Sequence, residues 1–311
     1  MNSLRLNAHA LSGAVSIALL ASCGGGGESA TPLADQAARP LTQSRTFNYT
    51  GAKQSFTVPA GVTRITVVAR GAGGDSCVRT GRGARVYAVI PVTPKERLTV
   101  YVGGGGAGLG GAGGFNGGGA SYSGYGGAGG ASDVRVRPGG LRDRIVVAAG
   151  GGSAGLTYFS CSYGVLYGSG GGGGGLTGEN GQLGWGDTFG AGGGGSGGTQ
   201  TQGGAGGKGG SGYASSCPYG AGKPGADGAL GVGGAGAKKA KYHRYYALGG
   251  GGGGGGYFGG GGGGGSCLSK RYVGGGGGGG GSSYAEPRAT NVHYWPNWKN
   301  ASGDGLVVLS W

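Results

Sequence analysis

Apolar and polar residues alternate with a period of two in several short stretches, the spacing that places one face of a β-strand inward. Thr46 to Thr50 alternates, and so does Gln54 to Val58, which stops at the turn Pro59-Ala60-Gly61. Val62 to Arg70 forms a longer β-branched run ending at Gly71. Ala84 to Val92 follows, then the turn Thr93-Pro94-Lys95-Glu96 and a last run from Arg97 to Val102. No stretch shows a helical period. Short strands divided by turn signals predict an all-β, antiparallel sandwich. Five strands bury too little for a large core, so partners must come from elsewhere in the chain. Ser132 to Val136, Asp143 to Ala149 and the terminal run Asp304 to Trp311 supply them. The terminal run is expected to return to the N-terminal sheet.

Uninterrupted glycine separates these strands, at Gly170–Gly175, Gly249–Gly256, Gly259–Gly265 and Gly274–Gly281. Glycine supplies 94 of 311 residues, which leaves much of the chain without side chains to bury. Collagen is excluded, because glycine has no strict period of three and there are only 10 prolines. Disordered chains are typically charged and poor in aromatics, whereas here 12% of residues are charged and 17 are tyrosines. The glycine runs are therefore expected to form polyglycine II helices, threefold and extended. Their outward N–H and C=O groups would pair with neighbouring runs. An eight-residue run would span about 25 Å.

The N-terminus reads as a targeting segment. Arg5 precedes an apolar core from Leu11 to Leu20, shorter than the roughly 20 residues of a membrane span. Leu20-Ala21-Ser22-Cys23 has the form of a lipobox, so residues 1–22 are expected to leave as a signal peptide and Cys23 to carry lipid. Residues 23–44 then form a flexible tether, 45–102 the sandwich strands, 103–303 the glycine region with two short strands, and 304–311 the closing strand. The predicted location is the cell envelope, on an outer-membrane lipid anchor. Cys77, Cys161, Cys217 and Cys267 remain, an even number that suggests two disulfides with three pairings open.

Formal charge is +14. Most cations are scattered, but Lys238-Lys239-Ala240-Lys241-Tyr242-His243-Arg244-Tyr245-Tyr246 interleaves bases with aromatics. The preferred reading is a solvated loop; the alternative is a grip on nucleic acid or another polyanion. Tyr294-Trp295-Pro296-Asn297-Trp298 clusters aromatics on a loop, where they either stack on a glycan or protein or cap the glycine bundle. Gly151-Gly152-Ser153-Ala154-Gly155 fits the G-x-S-x-G motif, with His243 or His293 and Asp187 or Asp227 as conceivable partners. No helix pattern follows Ser153, so a serine hydrolase is only the rival reading. No C-x-x-C pair, P-loop or histidine-rich metal pattern occurs. The expectation is a non-catalytic module with no cofactor and no small-molecule substrate. Asp133 and Asp143 with Arg135 and Arg144 read as ion pairs at strand ends.

An ordered string of motifs adds to this. Phe47-Asn48-Tyr49-Thr50-Gly51, Phe56 to Val62, Gly71-Ala72-Gly73-Gly74, Ile90 to Pro94, Gly114 to Gly119, Gly130 to Arg135, Asp143 to Gly152 and Gly303 to Trp311 follow one another across residues 45 to 311. The string resembles the glycine-rich extracellular domain of the anaplastic lymphoma kinase and leukocyte tyrosine kinase receptors, and more closely its bacterial glycine-rich counterparts. The resemblance implies a jelly-roll-like sandwich with polyglycine II insertions and a role in extracellular ligand recognition. It carries over no kinase chemistry, since neither H-R-D nor D-F-G occurs.

Overall fold

A computed structural model of the chain describes residues 43–74, 80–106, 108, 111–124, 126–156, 168–186, 189–211, 217, 219–269 and 273–311. The strands are β1 (Ser44–Asn48), β2 (Gln54–Thr57), β3 (Arg64–Arg70), β4 (Arg85–Pro91), β5 (Arg97–Tyr101), β6 (Ser132–Arg135), β7 (Arg144–Ala148), β8 (Ala240–Tyr242), β9 (Tyr245–Ala247), β10 (Tyr284–Ala285), β11 (Thr290–Trp295) and β12 (Leu306–Ser310). They form two five-stranded antiparallel sheets, β1-β12-β3-β4-β11 and β10-β7-β6-β5-β2, and a separate β8-β9 hairpin. The chain crosses between the two sheets at β1–β2, β2–β3, β4–β5 and β10–β11, as in a jelly roll. The β-sandwich expected from the alternation is the fold observed.

The period of two explains the core. On β4, Val86, Ala88 and Ile90 face inward and Arg85, Tyr87, Val89 and Pro91 outward. Phe47, Ile65, Val67, Ile90, Val307 and Leu309 from one sheet meet Phe56, Leu98, Val100, Val134 and Val146 from the other in one buried cluster. Each fully buried large aliphatic or aromatic side chain there contributes about 1.5–3 kcal/mol. The terminal strand does return to the N-terminal sheet. It lies inside that sheet, between β1 and β3, rather than at an edge.

The glycine runs form the ordered lattice their spacing implies. Every amide from Gly274 to Ser282 donates to a carbonyl between 2.6 and 3.1 Å away. Gly274, Gly277 and Gly280 donate to Trp185, Gln182 and Glu179. Gly275, Gly278 and Gly281 donate to Leu156, Ser153 and Gly150. Gly276, Gly279 and Ser282 donate to Gly264, Gly261 and Phe258. Each third residue thus faces the same neighbour, which is the threefold geometry of polyglycine II. Segments 192–198, 171–174 and 251–257 donate back to the same run, so six neighbours surround it. Gly259–Gly265 is bonded in the same manner. The lattice satisfies its buried backbone groups without a hydrophobic core, as such groups require.

Serine hydroxyls complete the lattice where backbone alone does not. Ser283 Oγ donates to Gly174 O at 2.6 Å and accepts from Ala149 N–H at 3.1 Å. Ser282 Oγ donates to Thr199 O at 2.6 Å and accepts from Phe258 N–H at 3.2 Å. Ser132 Oγ, at the border with the sheets, donates to Arg70 O at 2.6 Å and accepts from Gly103 N–H at 3.0 Å.

A buried polar seam joins sandwich to lattice. The Asp133 carboxylate accepts from Arg135 Nε at 2.7 Å and from Asn116 Nδ2 at 2.8 Å, and Arg135 lies 3.8 Å over the Tyr101 ring. Arg144 donates to the carbonyls of Gly256 and Tyr257 at 2.7 and 2.8 Å. Of the two ion pairs expected from sequence, Asp133–Arg135 forms. Asp143 instead accepts from the Gly139 and Gly140 amides, because it ends a tight turn.

Candidate functional site

Two aromatic and basic clusters stand out on the sequence, and the structure separates them. The bonding of run 274–282 gives the lattice two ends. Gly276 bonds to Gly264, two residues before Ser266, whose amide donates to Leu248 directly after β9. At the other end Gly281 O accepts from Gly174, beside Gly173, whose carbonyl accepts from Asn297 N–H. The Lys238–Tyr246 segment therefore lies at one end of the glycine runs and the Trp295–Trp298 segment at the other.

The segment expected as a solvated loop is instead the β8-β9 hairpin, with His243 and Arg244 as its two-residue connection and Lys241 opposite Tyr246. Charge and length hid it, since three-residue strands carry almost no period. The hairpin leaves Lys238, Lys239, Lys241, Tyr242, Arg244 and Tyr246 exposed. Lys241 Nζ lies 5.4 Å over the Tyr246 ring and Lys238 Nζ 5.5 Å over Tyr122. Tyr245, also a candidate contact, points inward and is 6% exposed, so it anchors the hairpin rather than meeting a ligand. Tyr219 packs on it with ring centres 3.9 Å apart, and a hydrogen bond to Tyr245 raises the Tyr219 phenol above its ordinary range.

The Cys217–Cys267 disulfide, with Cα atoms 5.7 Å apart, closes a loop containing the hairpin. The two cysteines are 50 residues apart, and closing a loop of that size stabilises the fold by about 2–4 kcal/mol. Reduction should lower the melting temperature in a thermal scan. An unchanged melting temperature on complete reduction would contradict this role for the disulfide. Cys23, Cys77 and Cys161 lie outside the described residues.

The Tyr294–Trp298 group, read as a loop, begins on β11, an edge strand beside β4. Alternation along β11 splits its members. Tyr294 faces inward, packs against the core and lies next to Gly175, the capping role. Burial raises its phenol pKa. Trp295 faces outward opposite Arg85, whose guanidinium lies 4.2 Å over the Trp295 ring and 5.5 Å over Trp298. Such cation–π contacts contribute about 0.5–1 kcal/mol at exposed positions. The loop after β11 is pinned to the lattice, with Trp298 N–H donating to Gly83 O at 2.8 Å. Asn297, at φ +46°, is held by Glu179 Oε2 at 3.1 Å.

No family model matches the chain, and no curated protein matches it in sequence.

Ser153 is fully buried, and its Oγ accepts from Gly252 N–H at 2.8 Å. The G-x-S-x-G match thus marks another lattice serine. His243 and His293 are both exposed, on the hairpin and on β11, and Asp227 is bonded to Gly206 N–H at 2.7 Å. Sequence reasoning did not group the cations Lys53, Arg97 and Arg137, which meet around a cavity of about 710 Å³ lined also by Ser55 and Thr99. They lie 44 and 40 positions apart in sequence, so only the pairing of β2 with β5 and of β5 with β6 reveals them.

Proposed function

We propose that the chain is a non-catalytic cell-envelope lipoprotein, lipidated on Cys23, whose folded domain presents a ligand-binding surface in an adhesive or structural role. The lipobox supports the anchor. The observation that carries the binding role is the Arg85–Trp295–Trp298 stack, held outward on a sheet edge and braced by the glycine lattice. Rigid aromatic surface of this kind binds with little loss of conformational entropy. The motif string resembling the glycine-rich receptor domain, which serves ligand recognition outside the cell, supports the same reading.

Two measurements test it. Radiolabelled palmitate should enter the wild-type chain and not Cys23→Ala, which should leave the membrane fraction. A glycan array and a surface-attachment assay should detect binding by the mature chain. Absence of any bound ligand, with attachment unchanged on gene deletion, would remove the binding role. A second reading rests on the cations stacked on tyrosines in the hairpin. As a polyanion grip it would show retention on DNA that falls steeply with salt.

A further inference from the structure

The outer face of the β1-β12-β3-β4-β11 sheet carries a transverse row whose charge the fold leaves uncompensated. Register places Leu306 opposite Arg70, Arg70 opposite Arg85, and Arg85 opposite Trp295. Their strand neighbours Ala69 and Val86 are buried, so the row points outward. Arg70 and Arg85 are both half-buried and directly across from each other, a placement in which like charges repel. Among the described residues neither has a carboxylate partner; the ion pairs there join Arg135 to Asp133 and Arg288 to Glu286. Arg70 Nη1 meets the Asn300 carbonyl at 3.5 Å. Glu179, which reaches the loop between the tryptophans, is committed to Asn297 Nδ2 and to Gly172 N–H at 3.0 Å.

Aromatic surface flanks this cationic pair on the side of Arg85. Trp295 and Trp298 have ring centres 6.1 Å apart, His293 lies 5.9 Å from Trp295, and Tyr87 lies 6.2 Å from His293. The next row inward, Val308, Val68 and Tyr87, adds neutral surface. Rings beside two unpaired guanidiniums fit a ligand with apolar ring faces and a planar anion at intervals.

We propose that this face binds a carboxylate-bearing polysaccharide, its sugar rings against Trp295 and Trp298 and a uronate between Arg70 and Arg85. Arginine suits that anion, because its fork matches a carboxylate in two parallel hydrogen bonds. Duplex DNA presents one charge per about 1.7 Å and needs a run of cations, whereas this row offers two among neutral side chains. The inference rests on the reading of the domain as a surface-binding module, and names the ligand class of that same site.

The test is retention of the mature full-length chain on immobilised polygalacturonate, a neutral glucan and single-stranded DNA, each at low and high salt. Polygalacturonate should retain it, less so at high salt. Arg85→Gln and Arg70→Gln should each weaken retention at least about tenfold, the loss of one charge-assisted hydrogen bond. Trp298→Ala should weaken it comparably, and Arg142→Gln, an exposed charge outside the face, should not. Melting curves of every variant establish that folding is retained. Equal retention on the neutral glucan, preference for DNA, or Arg85→Gln and Arg70→Gln variants that bind like the parent would each overturn the proposal. Neutral-glucan binding that Trp298→Ala removes would do so while leaving the surface-module reading intact. Failure of the chain to bind any glycan, with unchanged cell attachment, would remove both.

Discussion

Gly278→Ala should destabilise the domain by about 4 kcal/mol or more, although a single methyl group is all that is added. A Cβ at Gly278 would overlap the Gly252 carbonyl. That carbonyl belongs to a backbone segment, so no rotamer change can relieve the clash. Moving the run instead breaks lattice bonds, because Gly278 N–H donates to Ser153 O at 3.0 Å and Gly278 O accepts from Gly171 N–H at 2.9 Å. Each buried group left unpaired costs about 1–3 kcal/mol, and at least two are affected. Gly105→Ala is the control. Its Cβ would approach nothing closer than 3.5 Å, and its φ is not in the left-handed region. Reduced freedom of the unfolded chain should then stabilise by about 0.4–1 kcal/mol. Thermal melting measures both signs. Amide exchange adds a second readout, since Gly274 to Gly281 should exchange as slowly as β3 in the parent and collectively faster in Gly278→Ala. Random-coil exchange in the parent, or equal melting of the two variants, would contradict the lattice.

The contrast shows what a sequence of this kind displays and what it conceals. Strands β4, β5 and β12 were legible because seven or five residues of alternating burial leave a visible period, whereas β3 and the fully buried β7 were legible as β-branched apolar runs. Strand β10 has two residues and no period at all. In β11 the register slips between Thr290 and His293, where Asn291 sits at φ +51°, and the alternation is broken at that point. The glycine runs announced their conformation but not their neighbours, since identical residues specify no pairing partner. For the same reason Ser153 looked like a motif and is a structural acceptor. The aromatic half of the Trp295 site was visible as a cluster. Its cationic half was not, because Arg70 and Arg85 lie on different strands and meet Trp295 only through strand register.

Asp133→Ala should cost about 3–5 kcal/mol, the loss expected when one partner leaves a buried ion pair. Asp133 is fully buried, and its carboxylate receives Arg135 Nε at 2.7 Å, Arg135 Nη2 at 3.0 Å and Asn116 Nδ2 at 2.8 Å. Its removal strands the Arg135 charge in the seam. It also affects Arg144, whose pKa burial lowers while the charge on Asp133 opposes that shift. An arginine does not give up its proton in a protein, so the lost compensation falls on stability rather than on titration. Replacing both partners behaves differently. Asp133→Leu with Arg135→Met removes the pair and fills the space with apolar atoms, and a substantial part of the loss should return, although Asn116 Nδ2 loses one of its two acceptors and Arg144 loses the opposing charge beside it. Chemical denaturation of Asp133→Leu, Arg135→Met and the double variant gives the coupling energy directly. A cost below about 1 kcal/mol for Asp133→Ala would mean that water enters the seam and screens Arg135.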